Sequence, residues 1–126
     1  LREAGMARDT VFVTNAVLCL PLDSLNRNRR PTAREQRACT PWLAASLNLV
    51  RPALVVAMGA VALQALGRVA FHDLRLQDAG HRFVPWEGRT LAVAYHPAAR
   101  SAVHRHWDVQ AEDWRWLGRL AASLAR

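Results

Sequence analysis

Along the chain, short β-branched apolar runs alternate with stretches in which apolar residues recur at helical spacing. Val11-Phe12-Val13-Thr14-Asn15-Ala16-Val17-Leu18 is the first such run and predicts a buried strand. Leu20 to Pro31, dense in Pro, Asp, Ser, Asn and Arg, reads as a loop. Pro31, Thr32 and, three residues on, Glu35 carry the signature of a capping box. The helix it opens carries Cys39, has Pro41 as the place for a kink, and runs to about Val50. Pro52 ends it, and Ala53 to Met58, apolar on both faces, suits a strand in the middle of a parallel sheet. Gly59 turns the chain into a short helix over Ala60 to Leu66. Phe71 to Gly80 is irregular, and Arg82 to Trp86 suits an edge strand. Thr90 to Ala94 is a third buried strand and delivers Tyr95-His96-Pro97 at its carboxyl end. The last helix covers Val109 to Leu124, with Trp114, Leu117, Leu120 and Leu124 on one face.

Strands alternating with helices imply an α/β fold, a three-layer sandwich around a central, mostly parallel sheet. In such sheets function collects beyond the carboxyl ends of the strands, where Asn15, Gly59 and His96 are all expected to fall. The chain contains no internal repeat, and its 126 residues suit one domain. Leu1 to Met6 reads as the last turn of a helix, stopped by Gly5 and without a cap ahead of it. The domain is therefore expected to be truncated at its N-terminus.

Charge narrows the partners. The net charge is +7, and all 17 basic residues are Arg. Arg meets phosphate with a planar, bidentate fork, so the surface suits nucleic acid. A GC-rich genome also favours Arg over Lys, but it does not explain the excess of basic over acidic residues. No apolar run approaches the roughly 20 residues that span a bilayer, and the opening residues lack a signal peptide, so a cytoplasmic protein off the membrane is expected. Two cysteines in such a compartment are buried thiols, metal ligands or reactive groups before they are a disulfide.

The candidate residues each admit a plain reading. Asn15 offers donor and acceptor to a pyrimidine edge, yet an Asn that merely closes a turn fits the same position. His96 can serve as acid, base or donor to a developing anion, although a lone strand-end His is more often structural. Pro97-Ala98-Ala99-Arg100 is small and stiff, then basic; it suits entry into a groove, and by itself is only a loop. Cys19 and Cys39 flank the Arg-rich loop, and two cysteines cannot complete a four-ligand site. Gly59 opening a helix suits either phosphate or tight packing. The histidines at 72, 81, 104 and 106 are scattered, and solvation explains them better than zinc. Trp114 matches the core face; Trp107 and Trp116 suit packing or the surface.

The order of five blocks is more specific than any one of them. Val11 through Cys19, Arg29-Arg30-Pro31-Thr32 with Cys39, Leu49-Val50-Arg51-Pro52, Val55-Val56-Ala57-Met58-Gly59 and Tyr95-His96-Pro97-Ala98-Ala99 together resemble the uracil-DNA glycosylase superfamily. The nearest branch is its iron–sulfur group, family 4, with family 5 next. The resemblance runs from about Gly5 to the C-terminus and implies the uracil-DNA glycosylase-like form of the α/β sandwich. It implies that Asn15 reads the uracil edge and that His96 stabilises charge on the leaving uracil, making these two the catalytic and substrate-binding pair. It further implies that the segment Pro97 through Arg100 enters the DNA, where Gly59 at its helix start is also expected to meet phosphate, and that Cys19 and Cys39 supply half the ligands of a [4Fe-4S] cluster. The implied activity is a DNA-repair glycosylase releasing uracil, acting as a monomer on uracil-containing DNA.

Three departures qualify that match. The family's Gly-Glu-Ala-Pro-Gly-type water-positioning loop, its uracil-stacking aromatic residue and two upstream cysteines are absent from these residues. The loop between Cys19 and Cys39 is longer than in the best-known family 4 members. Ala98 or Ala99 stands where a larger apolar wedge residue is usual. The 126 residues alone are thus expected to be inactive. Two other classes stay open: a non-catalytic binder of uracil or other lesions in DNA, and a hydrolase using a histidine-bound metal.

Overall fold

Thr32 starts the first helix as the capping residue. Its Oγ accepts from the Glu35 N–H at 3.2 Å, and Glu35 Oε1 accepts from the Thr32 N–H at 3.2 Å. That reciprocal pair satisfies two donors that helix geometry would leave unpaired. Helix α1 spans Ala33–Val50 and runs through Pro41 without a break; it closes on Arg51 at φ 51°. The computed structural model describes residues 1–97 and 102–125. Strand β1 (Leu54–Met58) follows, then helix α2 (Ala60–Val69), strand β2 (Phe83–Trp86), strand β3 (Arg89–Ala94) and helix α3 (Trp107–Leu124). Glu87 and Gly88, at φ 50° and 73°, make the two-residue turn between β2 and β3.

The sheet order is β1-β3-β2. β1 and β3 run parallel from Leu54↔Thr90 to Met58↔Ala94, while β2 lies antiparallel on the outer side of β3. Phe83–Trp86 thus forms the edge strand expected over Arg82 to Trp86, one residue shorter. Alternation then sorts the side chains of β3 to two faces. Leu91 and Val93 join Ala57, Leu47, Leu63, Leu66 and Trp86 in the core under α1 and α2. Ala92 and Ala94 meet Leu117 and Leu120 of α3, with Trp114, Trp116 and Leu124 alongside. Helices on both faces of the sheet make the expected three-layer α/β sandwich.

The N-terminal turn belongs to the α3 layer. Arg2–Ala4 is a single 3-10 turn stopped by Gly5 at φ 67°. It presses on α3 so closely that a Cβ at Gly118 would stand 2.0 Å from the Ala4 carbonyl oxygen.

One expected element is missing. Residues 11–18 form no strand and run as irregular, bent chain in which Phe12 and Val13 are exposed, as are Leu18 and Leu20. The free edge of β1 carries no pairing partner among the described residues. A β-branched apolar run becomes a strand only when its N–H and C=O groups find a ladder, and this one has found none.

Candidate active site at the carboxyl rim of the sheet

The parallel register brings the carboxyl ends of β1 and β3 side by side. Beyond it the Gly59 N–H donates to the Ala94 carbonyl at 2.8 Å, carrying the ladder one residue past the strands. His96 backs directly onto this glycine: a Cβ at Gly59 would lie 3.3 Å from the His96 Cβ and 3.9 Å from its backbone nitrogen. Gly59 also holds φ 94° and ψ 173°, a conformation nearly confined to glycine. One position thus answers two demands, a backbone shape and a close approach.

Gly59 is at the same time the residue from which α2 starts, without a side-chain cap. The first N–H groups of that helix, with the positive end of its dipole, therefore open beside His96. His96 and Pro97 are exposed at the rim, and Tyr95 behind them is half-buried. An imidazole beside a helix N-terminus is an arrangement that favours negative charge. Ala98, Ala99 and Arg100 lie outside the described residues.

Asn15 is exposed in the irregular segment, away from a strand end. With Thr14, Ala16 and Leu18 it lines a small cleft against the α1 residues Cys39, Trp42, Leu43 and Ser46. The fold thus gathers the expected residues into two groups, Gly59 with His96 and Asn15 with Cys39.

Cys19 is exposed, Cys39 is half-buried, and both are free thiols. The loop between them is basic and internally braced. Asp23 Oδ1 accepts from the Leu25 and Arg27 N–H groups at 2.8 and 2.9 Å, and Arg29 grips Glu35 at 2.7 and 3.2 Å. The Arg29 pKa is raised, first by those bonds to Glu35. Both thiols fit an iron–sulfur cluster in kind and fall short in number. Among the described residues no three His, Cys, Asp or Glu side chains gather as a metal site.

The remaining histidines have structural work or open surroundings. His72 accepts from the Leu74 N–H through Nδ1 at 3.1 Å, which leaves Nε2 to donate to the Leu63 carbonyl at 2.8 Å. His106 caps α3, its Nδ1 accepting from the Asp108 N–H at 3.2 Å. His81 and His104 are exposed. Trp114 and Trp116 pack in the α3 layer, Trp116 with its ring 6.2 Å from that of Phe83. A wide cavity of about 460 Å³ opens at the opposite, amino end of the sheet, between Asn48, Arg51, Pro52, Gly88 and Arg89, remote from this chemistry. Sequence reasoning passed over Arg105, whose guanidinium lies over the Tyr95 ring next to His96. Its partner Asp113 is eight residues away, a spacing with no local signature.

Comparison with known proteins gives this rim a context. The family model described as the uracil DNA glycosylase superfamily matches residues 1–118. A type-4 uracil-DNA glycosylase of Thermotoga maritima is 43% identical over 63 residues, half of this chain and 31% of the relative. A type-4 enzyme of Pyrobaculum aerophilum is 33% identical over 79% of the chain and 51% of its own length. A type-5 uracil-DNA glycosylase of the same organism is 38% identical over 77% of the chain and 40% of its length. The chain spans about half the length of the curated relatives it matches.

Proposed function

The chain belongs to the uracil-DNA glycosylase superfamily, and on that footing we propose that it serves hydrolysis of the N-glycosidic bond of deoxyuridine in DNA, the base-releasing step of base excision repair. The observation that carries this reading is the junction of His96, Gly59 and the α2 N-terminus at one strand-end rim.

A base cannot react while stacked, so uracil must first be flipped out of the helix into a pocket. As the glycosidic bond breaks, its electron pair leaves with uracil, whose carbonyl oxygens gain negative charge. His96 donates a hydrogen bond to that charge, and the α2 N-terminus adds its partial positive charge. Both interactions strengthen toward the transition state, which is the condition for accelerating the step. Asn15 is the proposed reader of the uracil edge, its amide matching a carbonyl beside an N–H. Gly59 and Pro97 through Arg100 face the DNA in this reading. Water then adds at the sugar carbon that the base has left and gives up a proton, which completes the hydrolysis.

Cys19 and Cys39 would hold two corners of a [4Fe-4S] cluster, with the other two ligands coming from elsewhere. Bound there, the cluster would supply a covalent brace between the basic loop and α1. Loss of iron and of visible absorbance from the full-length protein on Cys39→Ser checks this assignment; unchanged iron content would remove it. No helix among the described residues is long and apolar enough to cross a membrane. We place the protein with its DNA in the cytoplasm, as a monomer.

The test is release of free uracil from a uracil-containing oligonucleotide by the full-length protein. Release, with abasic sites left behind, supports the glycosylase. Tight binding without release instead assigns the protein to lesion recognition.

A further inference from the structure

Arg105 and Asp113 form the most buried ion pair among the described residues, their side chains 24% and 6% exposed. Arg105 Nε and Nη2 donate to the two Asp113 carboxylate oxygens at 2.6 and 2.7 Å. Nη2 also donates to the Ala79 carbonyl at 3.3 Å, and the guanidinium carbon stands 5.3 Å from the centre of the Tyr95 ring. The Arg105 backbone is held as well, its carbonyl accepting from Gln110 Nε2 at 2.8 Å. Gln110 and Asp113 are both buried, one turn apart on α3. Gly80 completes the enclosure: at φ 82°, it approaches Asp113 so closely that a Cβ would meet Oδ1 at 2.0 Å.

A planar fork paired with a carboxylate and laid over an aromatic face fixes direction as well as distance. Apolar side chains of similar size generally stabilise a fold as well as a buried ion pair does, so an enclosed pair of this kind is better matched to holding geometry. Its place along the chain shows which geometry. Tyr95 immediately precedes His96, and Arg105 lies beyond Pro97 through Arg100, so the Arg105–Tyr95 contact joins the two flanks of the rim segment.

We propose that Arg105, held by Asp113 and Gln110, is a positioning residue: it clamps Tyr95, and through it sets where the His96 imidazole stands against Gly59 and the α2 N-terminus. The catalytic part of this inference rests on the glycosylase reading; the structural part does not. A reacting group displaced by an ångström loses orders of magnitude in rate, so a clamp two contacts away from the chemistry is felt there.

The test compares Arg105→Lys and Asp113→Asn with Arg115→Lys in the full-length protein. Arg115, two residues along α3 from Asp113 but exposed, binds Glu112 and Glu3 of the N-terminal turn and serves as the control. The imidazole NMR signals of His96 are expected to move in the first two variants and to stay in the third. Single-turnover uracil release is expected to fall about tenfold in Arg105→Lys with DNA binding nearly unchanged, and to fall no further when Arg105→Lys is added to His96→Ala. His96 signals that stay fixed in folded Arg105→Lys and Asp113→Asn would overturn the proposal, as would fully additive rate losses. Moving His96 signals in a protein that releases no uracil would uphold the clamp and sink the glycosylase reading instead.

Discussion

At Gly59 the backbone stands at φ 94° and the His96 Cβ lies 3.3 Å from where a side chain would begin, so backbone shape and neighbour both oppose substitution. Gly88 provides the contrast, with a similar φ of 73° and nothing within 4 Å. Gly59→Ala is expected to cost about 1–3 kcal/mol of stability from backbone strain and, beyond that, to displace His96 and slow uracil release. Gly88→Ala is expected to cost stability alone. Chemical denaturation alongside uracil release separates the two; equal activity in both variants would detach Gly59 from the site. The placing of Gly59 and His96 just past two strand ends was legible in the sequence, because each punctuates the end of an apolar run. The Arg105 clamp was not. Its contacts with Tyr95, Ala79 and Asp113 span 10, 26 and 8 residues and exist only after the layers have packed.

Among the elements, α1 shows how far local chemistry reaches. The pattern of Pro31, Thr32 and Glu35 foretold a capping box, and the box forms with Arg29 added to it. The Arg29 bonds first, then the Thr32 N–H, hold the Glu35 carboxyl down to about 2 from its usual 4.5. Because the folded value lies below the unfolded one, the stabilisation is present above about pH 4.5 and is lost as pH falls through 2. The α1 N-terminus is therefore expected to fray across that window, and less so in Glu35→Gln, which has nothing left to protonate there. Amide exchange at Glu35 and Gln36 would read it, and equal acid sensitivity in the two proteins would refute the assignment. Salt should weaken the effect, since the pair is partly exposed. The run at 11–18 marks the opposite limit. Its composition states that the residues are apolar and β-branched, whereas a strand also needs a partner, and pairing is a non-local fact. Asn15 consequently lies in a cleft beside Cys39 and not at a strand end.

At the scale of the molecule, three layers follow from β3 being buried on both faces. Alternation sends Leu91 and Val93 under α1 and α2, and Ala92 and Ala94 under α3. That burial was visible in the unbroken apolar sequence of the strand, and so were the helices that cover it. The same layering sets the rim: parallel neighbours end together, and the residues just past them meet. The net charge of +7 suits the molecule as a whole to a polyanion. His96 at that rim carries the proposed chemistry, and the most direct measurement is single-turnover uracil release by the full-length protein and its His96→Ala variant, compared at equal DNA occupancy. A loss of about 10²–10³ in rate is expected, the usual effect of removing one donor to a developing anion. A folded His96→Ala variant that releases uracil at the parent rate would contradict it.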